Sequence, residues 1–187
     1  MTSARRARVD HVRAGMADLG LDALLLSVGA DLPWLTGYDA MPLERLTMLV
    51  VPRDAEATLV VARLEAPRVE ARPGVFSLLP WEETEDPVAI VASLLGGRER
   101  LAIGERTWAT FLLRLEAALP DATWQAASAV TGPLRAIKDP DEIAALAAAS
   151  AAADRVAEQL VTGAIPLIGR TEAEVSADIP REDRNIS

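Results

Sequence analysis

The sequence predicts an α/β fold, in which roughly six strands form a mixed sheet flanked by helices and a long helix follows towards the C-terminus. Short apolar runs of strand length alternate with segments whose apolar residues recur every three or four positions. Two of the β-rich runs are separated only by a turn signal, which indicates an antiparallel hairpin within the sheet. A helical pattern then begins at Asp139 and continues to about Val161.

The strands are predicted from short runs of apolar and β-branched residues. Ala23 to Val28 is a continuous apolar run, as expected for a buried strand. The hairpin consists of Leu46–Val51 and Thr58–Ala62, which flank the turn residues 52–56. The remaining predicted strands are Val75–Leu79, Leu101–Gly104 and Thr123–Ala127.

The helices between these strands are predicted from capping residues and apolar spacing. Asp86 precedes a proline and is well placed as an N-cap. Thr107 is predicted to cap a later helix in the same way. The predicted helices are Ala4–Leu19, a short one within Leu64–Arg72 that Pro67 interrupts, one from Asp86 to Gly96, and one from Thr107 to Leu119.

Residues 135–154 are predicted to join a complete domain to the start of another. Asp139 is placed as N-cap, Pro140 at the first helical position, and Glu142 where its side chain can reach back to the cap amide. One face of this helix is apolar and needs to be covered by other residues. Only 23 residues follow Ala164, the last residue of this face. We therefore predict domains at 1–134 and 135–187, the second of them incomplete. The face consists of Ile143, Leu146, Ala147, Ser150, Ala153, Ala157, Leu160 and Ala164.

A further helix is predicted near the C-terminus. Residues Thr171–Glu174 form a capping box, which starts a helix that Pro180 interrupts. An uncovered apolar helix face either promotes aggregation or forms an interface with another molecule. We therefore expect homodimer formation, fraying of the chain beyond Gly169, or both.

Composition excludes several classes of function. The net charge is −9, and the basic residues are scattered apart from four arginines near the start, so nucleic acid is not an expected partner. The absence of cysteine excludes thiol catalysis, disulfides and cysteine-based zinc sites. No apolar run reaches the roughly 18 residues of a membrane span. We expect a cytoplasmic protein with no membrane association.

Residues suited to catalysis are sparse. His11, the single histidine, lies on the first predicted helix with no neighbouring ligand at metal spacing, so a surface position is expected. The acidic stretch 82–86 could bind a cation, but charge stabilisation at a helix N-terminus is favoured. We therefore assign no catalytic residue and no metal ligand to this chain.

The loop from Gly29 to Pro42 concentrates aromatic and turn residues. Its aromatic side chains, Trp34 and Tyr38, are suited to anchor an interface or to pack on the sheet edge. Two aspartates, Asp31 and Asp39, flank these aromatics. Either could pair with Arg45, although turn formation by aspartate is the favoured alternative.

Two motifs resemble the creatinase, prolidase and Xaa-Pro aminopeptidase family of pita-bread metallopeptidases. The segment Trp34-Leu35-Thr36-Gly37-Tyr38 is similar to the YLTGF signature of the family's N-terminal domain, with Trp34 where the family usually has tyrosine. The run Arg135-Ala136-Ile137-Lys138, followed by Asp141-Glu142-Ile143 and an alanine-rich helix, resembles the interdomain segment. The match covers about Arg8 to Ile179. It implies an N-terminal domain followed by the linker and opening helices of a truncated catalytic domain.

The resemblance also implies where the chemistry lies. The family's peptidases bind two divalent metal ions through two Asp, one His and two Glu of the catalytic domain, and none of those motifs is matched here. We therefore expect no cofactor in this chain and no hydrolysis by it alone. The family's N-terminal domain packs near the mouth of a catalytic pocket, often that of a neighbouring subunit. This implies a role at a substrate entrance or interface for Trp34, Tyr38, Asp39 and Arg45.

Three functions follow from these observations and stay open at this point. The first is a non-catalytic N-terminal domain that self-associates as a homodimer, or contacts the catalytic domain of another subunit, and shapes a substrate entrance. The second is a fragment of an active, metal-dependent Xaa-Pro peptidase or related hydrolase. The third is a standalone module that binds a peptide or protein.

Overall fold

A computed structural model describes residues 2–179 and contains one six-stranded sheet in the order β4-β3-β2-β1-β5-β6. The central strand β1 pairs antiparallel with β2 and parallel with β5. The hairpin partners β2 and β3 are antiparallel, and the outer strands β4 and β6 are parallel to their neighbours. The predicted mixed sheet with a hairpin is therefore confirmed. The strands are β1 Ala23–Leu26, β2 Met48–Pro52, β3 Thr58–Ala62, β4 Ser77–Trp81, β5 Arg100–Ile103 and β6 Thr123–Ala126.

Helices cover both faces of this sheet. Alternate residues of a strand point to opposite faces, so β1 contributes Leu24 and Leu26 to one core and Ala23 and Leu25 to the other. The first core contains residues of α1 and α5, whereas the second contains residues of α3 and α4. The helices of the described chain are α1 Thr2–Asp18, α2 Asp31–Thr36, α3 Pro87–Leu95, α4 Ala109–Ala118, α5 Ser128–Ala136, α6 Pro140–Val161 and α7 Glu172–Asp178, with a 3₁₀ turn at Ala66–Arg68.

Most predicted caps are confirmed by their hydrogen bonds. The Asp86 carboxylate accepts from the amides of Val88 and Ala89 at the start of α3. At α6, the Glu142 amide donates to Asp139 at 2.9 Å and the Asp139 amide donates back to Glu142 at 3.0 Å. The same reciprocal pair forms at Thr171 and Glu174. The predicted cap at Thr107 is wrong: the cap residue of α4 is Trp108, which makes no side-chain capping bond.

Three further assignments differ from the sequence prediction. Residues 31–36 form the short helix α2 inside the predicted loop, and only a single 3₁₀ turn forms within Leu64–Arg72. Helix α5 was not predicted, and it contains Gly132 and Pro133, two residues that disfavour a helix interior. It forms nonetheless because Val130 is buried in the first core, so tertiary packing outweighs local propensity.

The chain divides into two compact units with their boundary between Ala136 and Ile137. The second unit contains the predicted long helix, α6, together with α7. Within it, Ile143 and Leu146 of the predicted apolar face are more than half exposed, whereas Ala152 is buried. The Ile165 amide, after the end of α6, donates back to the Gln159 carbonyl at 3.0 Å.

Three predictions are not tested by the fold. The predicted interruption at Pro180 falls outside the described residues. Homodimer formation and fraying beyond Gly169 stay predictions. In the part of the chain from residue 2 to residue 179, no helix combines the length and apolar character needed to cross a membrane.

The double-sided burial of β1 yields a stability prediction. Leu25 is fully buried at the centre of the sheet, so Leu25→Ala should lower the free energy of unfolding by about 3 kcal/mol. Leu64→Ala makes the same chemical change at a side chain that is 72% exposed and should change it by less than about 0.5 kcal/mol. Urea denaturation of both variants measures this difference, and equal losses would contradict the described core.

Candidate functional site

A cleft lies where the parallel strands β1 and β5 end. It encloses about 280 Å³ and is lined by the segment after β1, the segment after β5, and α5. In open α/β sheets, ligands characteristically bind outside the carboxyl ends of the strands. The position of this cleft therefore makes it a candidate site. Its lining includes Ser27–Asp31, Gly104–Arg106, Ser128, Thr131 and Arg135.

An ion pair connects the two helices that border the cleft. Arg135 of α5 donates to the Asp31 carboxylate of α2 at 2.6 Å, and the Thr131 hydroxyl donates to its other oxygen at 3.0 Å. Asp31 also lies in the first turn of α2, where a negative charge interacts favourably with the helix dipole. Both oxygens of this carboxylate are thus engaged, and the start of α2 is held against α5.

Glu105 provides a second carboxylate at the cleft. Burial raises the pKa of Glu105, but hydrogen bonds from Ser128 and from the backbone amide of Glu105 itself together outweigh this effect and lower the pKa below its usual value. One of these bonds is donated by the Ser128 amide at 3.3 Å. The carboxylate therefore connects the end of β5 to the start of α5 in its ionised form.

The backbone after β1 approaches its neighbour too closely for a side chain. Gly29 has a φ of +128°, and a Cβ placed there would lie 2.9 Å from Cδ of Arg106. Both the conformation and the space therefore favour glycine at this position. The Arg106 side chain covers Gly29 and forms part of the cleft wall.

The Trp34–Tyr38 motif lies at the end of α2 and in the turn that follows it. Leu32 and Leu35 of α2 are fully buried, whereas Trp34 packs against the same core while partly exposed. The Thr36 hydroxyl donates to the Leu32 carbonyl at 2.7 Å and accepts from the Tyr38 amide at 3.0 Å. These contacts define both the helix end and the turn.

Arg8 of α1 holds Trp34 through two contacts. Its guanidinium donates to the Trp34 carbonyl at 2.8 Å and lies 5.2 Å from the centroid of the indole ring. The second contact has the geometry of a cation–π interaction. The Trp34 backbone and ring are therefore both attached to the first helix.

The other predicted site residues have separate environments. Tyr38 is partly buried, and burial followed by the nearby Glu65 carboxylate raises its pKa. Asp39 is exposed. Arg45 pairs with Glu83 at 2.7 Å, so the ion pair considered between Arg45 and Asp31 or Asp39 does not form among the described residues. Asp31 pairs with Arg135 instead.

The acidic stretch is engaged in contacts within the protein. Glu82 pairs with Arg63, and Glu83 pairs with Arg45. Asp86 caps α3 and also pairs with Arg114 at 2.7 Å. His11 is exposed on α1. Between residues 2 and 179, the structure contains no group of three or more His, Asp or Glu side chains that could hold a metal ion.

Sequence reasoning identified the aromatic motif but missed the cleft. The contact between Asp31 and Arg135 joins residues 104 positions apart, and it depends on α5, which was not predicted. No local sequence signal marks the cleft, because its walls come together only through the parallel pairing of β1 with β5 and the packing of α5.

Comparisons with known proteins agree with this architecture. The family model described as Creatinase/Prolidase N-terminal domain matches residues 8–137. The crystal structure of dipeptidase PepE from Mycobacterium ulcerans superposes with a TM-score of 0.84 at 34% identity, covering 98% of this chain and 50% of that one. A prolidase from Thermococcus sibiricus gives a TM-score of 0.81 at 26% identity, covering 95% and 49%.

The fold thus defines an N-terminal domain of the pita-bread peptidase type, as the resemblance implied. The chain belongs to the creatinase/prolidase N-terminal domain family. A curated relative, the probable dipeptidase PepE of Mycobacterium tuberculosis, is 36% identical over a 176-residue alignment that covers 92% of this chain and 46% of that protein. The chain therefore spans about half the length of the curated relatives it matches.

The turn after α2 yields a second prediction. Gly37 has a φ of +80°, and a Cβ there would lie 2.8 Å from a guanidinium nitrogen of Arg5. Gly97 has a φ of +79° with nothing within 4 Å of an added Cβ. Both Gly→Ala changes should cost about 1 kcal/mol for the left-handed conformation. Only Gly37→Ala should also change the side-chain NMR signals of Arg5, and equal spectra in that region would contradict the described contact.

The Ser128 contact yields a prediction about acid stability. Because the pKa of Glu105 is lowered on folding, its ionised form stabilises the protein above the unfolded pKa, and this contribution is lost as the pH falls through the folded pKa. Glu105→Gln should therefore reduce stability at pH 7 and make its decline below about pH 4.5 less steep. Urea midpoints measured from pH 7 to pH 3 test this expectation. Glu116→Gln, at an exposed position of α4, is the control and should leave the profile unchanged.

Proposed function

We propose that this chain acts as the non-catalytic N-terminal domain of a dipeptidase- or prolidase-like protein, in which it self-associates and forms part of the wall of a substrate entrance. The observation that carries the proposal is the extent of the structural match. Nearly the whole chain superposes on one half of the dipeptidase from M. ulcerans, and the other half of that protein lies outside the match. The reacting groups are accordingly assigned to the part that this chain does not match.

The geometry of α2 supports an entrance role. Its start is bound to α5 through Asp31, and Trp34 is held by Arg8. Trp34 nevertheless stays partly exposed. A rigid aromatic side chain loses little conformational freedom when a ligand packs against it, which suits a residue that forms part of a pocket wall.

The proposed substrate class is short peptides, and the proposed cofactor belongs to the catalytic part. The relatives include proteins named as dipeptidases and a prolidase. The family that this chain resembles implies two divalent metal ions in the catalytic part. The residues described in this chain do not fit such a centre, because they contain no suitable group of ligands. No step of hydrolysis is therefore assigned to them. We further propose that the protein is cytoplasmic and that its self-association produces a homodimer.

A second candidate function is supported by the sequence identity. The chain is 36% identical to the probable dipeptidase of M. tuberculosis along nearly its whole length, as expected for a piece of an active enzyme. Reading the DNA beyond the codon for Ser187 distinguishes the two. An open frame that encodes a His and paired Asp and Glu motifs would favour the second function. An unrelated gene would favour the first, with the catalytic domain supplied by another subunit.

The entrance role can be tested in a chimera. This chain replaces the matching half of the M. ulcerans dipeptidase, and hydrolysis of a dipeptide is measured with Mn²⁺. Trp34→Ala should raise KM several-fold with a smaller change in kcat, because the residue contacts substrate without taking part in the reaction. Trp108→Ala, at another partly exposed tryptophan, is the control and should leave KM near that of the parent chimera.

Three results would count against the proposal. An unchanged KM for Trp34→Ala would remove the entrance role. Hydrolysis of a dipeptide by the purified 187-residue chain alone would show that the chain is itself catalytic. Light scattering that finds only monomers at high protein concentration would remove self-association.

A further inference from the structure

The outer edge of β6 carries backbone groups without partners. Strand β6 is the last strand in the sheet order and pairs with β5. The amides of Thr123 and Ala127 donate to carbonyls on the β5 side. Because successive residues of a strand direct their N–H and C=O groups to opposite sides, Trp124 and Ala126 direct theirs away from β5. Among residues 2–179, no backbone group pairs with these outward amides and carbonyls.

This edge lacks the features that usually protect an edge strand. Native sheets protect their edges with proline, with charged side chains or with a covering segment. At the opposite edge, β4 contains Pro80, which has no amide donor, and Glu82 follows the strand. Strand β6 is as long as the inner strands β1 and β5, contains neither proline nor charge, and is largely exposed. A further strand can therefore add to it.

The distribution of charge favours a second copy of this chain as that further strand. The chain carries a net charge of −9, so two copies generally repel each other. Residues 122–134, which include β6, are the longest stretch of the sequence without a charged residue. Two copies can therefore approach each other at this edge with little repulsion between nearby charges.

We propose that β6 pairs antiparallel with β6 of a second copy of this chain, so that the two six-stranded sheets become continuous. In the register that satisfies the outward groups, Gln125 lies opposite Gln125 of the second copy, and Trp124 of each copy lies opposite Ala126 of the other. Each outward amide can then donate to a carbonyl across the two-fold axis. The proposal names the contact surface for the proposed self-association and rests on that part of the proposed function.

The side chain at the two-fold axis is also compatible with an identical partner. Gln125 is exposed, and side chains that lie directly opposite each other on antiparallel strands are in contact. A glutamine amide contains both donors and an acceptor, so two identical side chains can bond to each other. Because the paired strands are short and the contact is small, we expect a weak dimer whose population depends on protein concentration.

Amide hydrogen exchange tests the pairing directly. Exchange is followed by NMR in the 187-residue chain at a low and a high protein concentration. The amides of Trp124 and Ala126 should exchange on the order of tenfold more slowly at the high concentration, because pairing satisfies them. The amides of Thr123 and Gln125, which face β5, are the internal control and should be protected equally at both concentrations.

Charge changes at the axis test the register. Gln125→Lys and Gln125→Glu each place like charges opposite each other, so each variant alone should raise the Kd of the dimer roughly several-fold. An equal mixture of the two variants should dimerise at least as tightly as the parent chain, because opposite charges then meet. Thr110→Lys and Thr110→Glu, at an exposed position of α4, are the matched controls and should leave the Kd unchanged. Sedimentation equilibrium measures all of these constants.

The results separate this proposal from the proposed self-association. Monomers at every concentration would overturn both. A dimer in which the Trp124 and Ala126 amides exchange as fast as in the monomer would overturn the β6 contact and leave self-association through another surface. Protection of these two amides in a monomer would show that the chain itself covers the edge, and equal effects of the Gln125 and Thr110 variants would exclude the register. Either of these results would overturn the proposal.

Discussion

The burial of β1 on both of its faces is the constraint on which the rest of the first unit depends. All four residues of this strand are buried, and they alternate between the two cores. A strand that is apolar on both sides is stable only if helices cover each face of the sheet. Helix α1 supplies residues to one core, and α3 and α4 supply residues to the other. The four-residue strand thereby specifies a layered arrangement far larger than itself.

The same strand determines where the candidate site lies. Because β1 is parallel to β5, the segments that follow both strands leave the sheet at the same edge, and both line the cleft. Helices α2 and α5 border the cleft at this point, and Asp31 and Arg135 join them. The Trp34 motif follows directly in α2. Its position relative to the cleft is thus a consequence of strand pairing rather than of any local preference of the motif.

Charged side chains of the described residues stabilise the fold itself. Their charged groups are largely engaged in caps and ion pairs, as at Asp31, Glu83 and Asp86. Membership of the creatinase/prolidase N-terminal domain family agrees with this distribution.

The sequence by itself determined the class of the fold, its hairpin and most of its helix ends. Apolar spacing reports burial directly, and a capping box such as Asp139 with Glu142 acts over only a few residues. Only the tertiary structure decided the rest. Helix α5 forms against its local propensity because Val130 is buried, and Arg45 pairs with Glu83 rather than with either aspartate of the predicted loop. Such contacts join residues far apart in the chain, so their partners depend on strand order and helix placement, which local patterns do not encode.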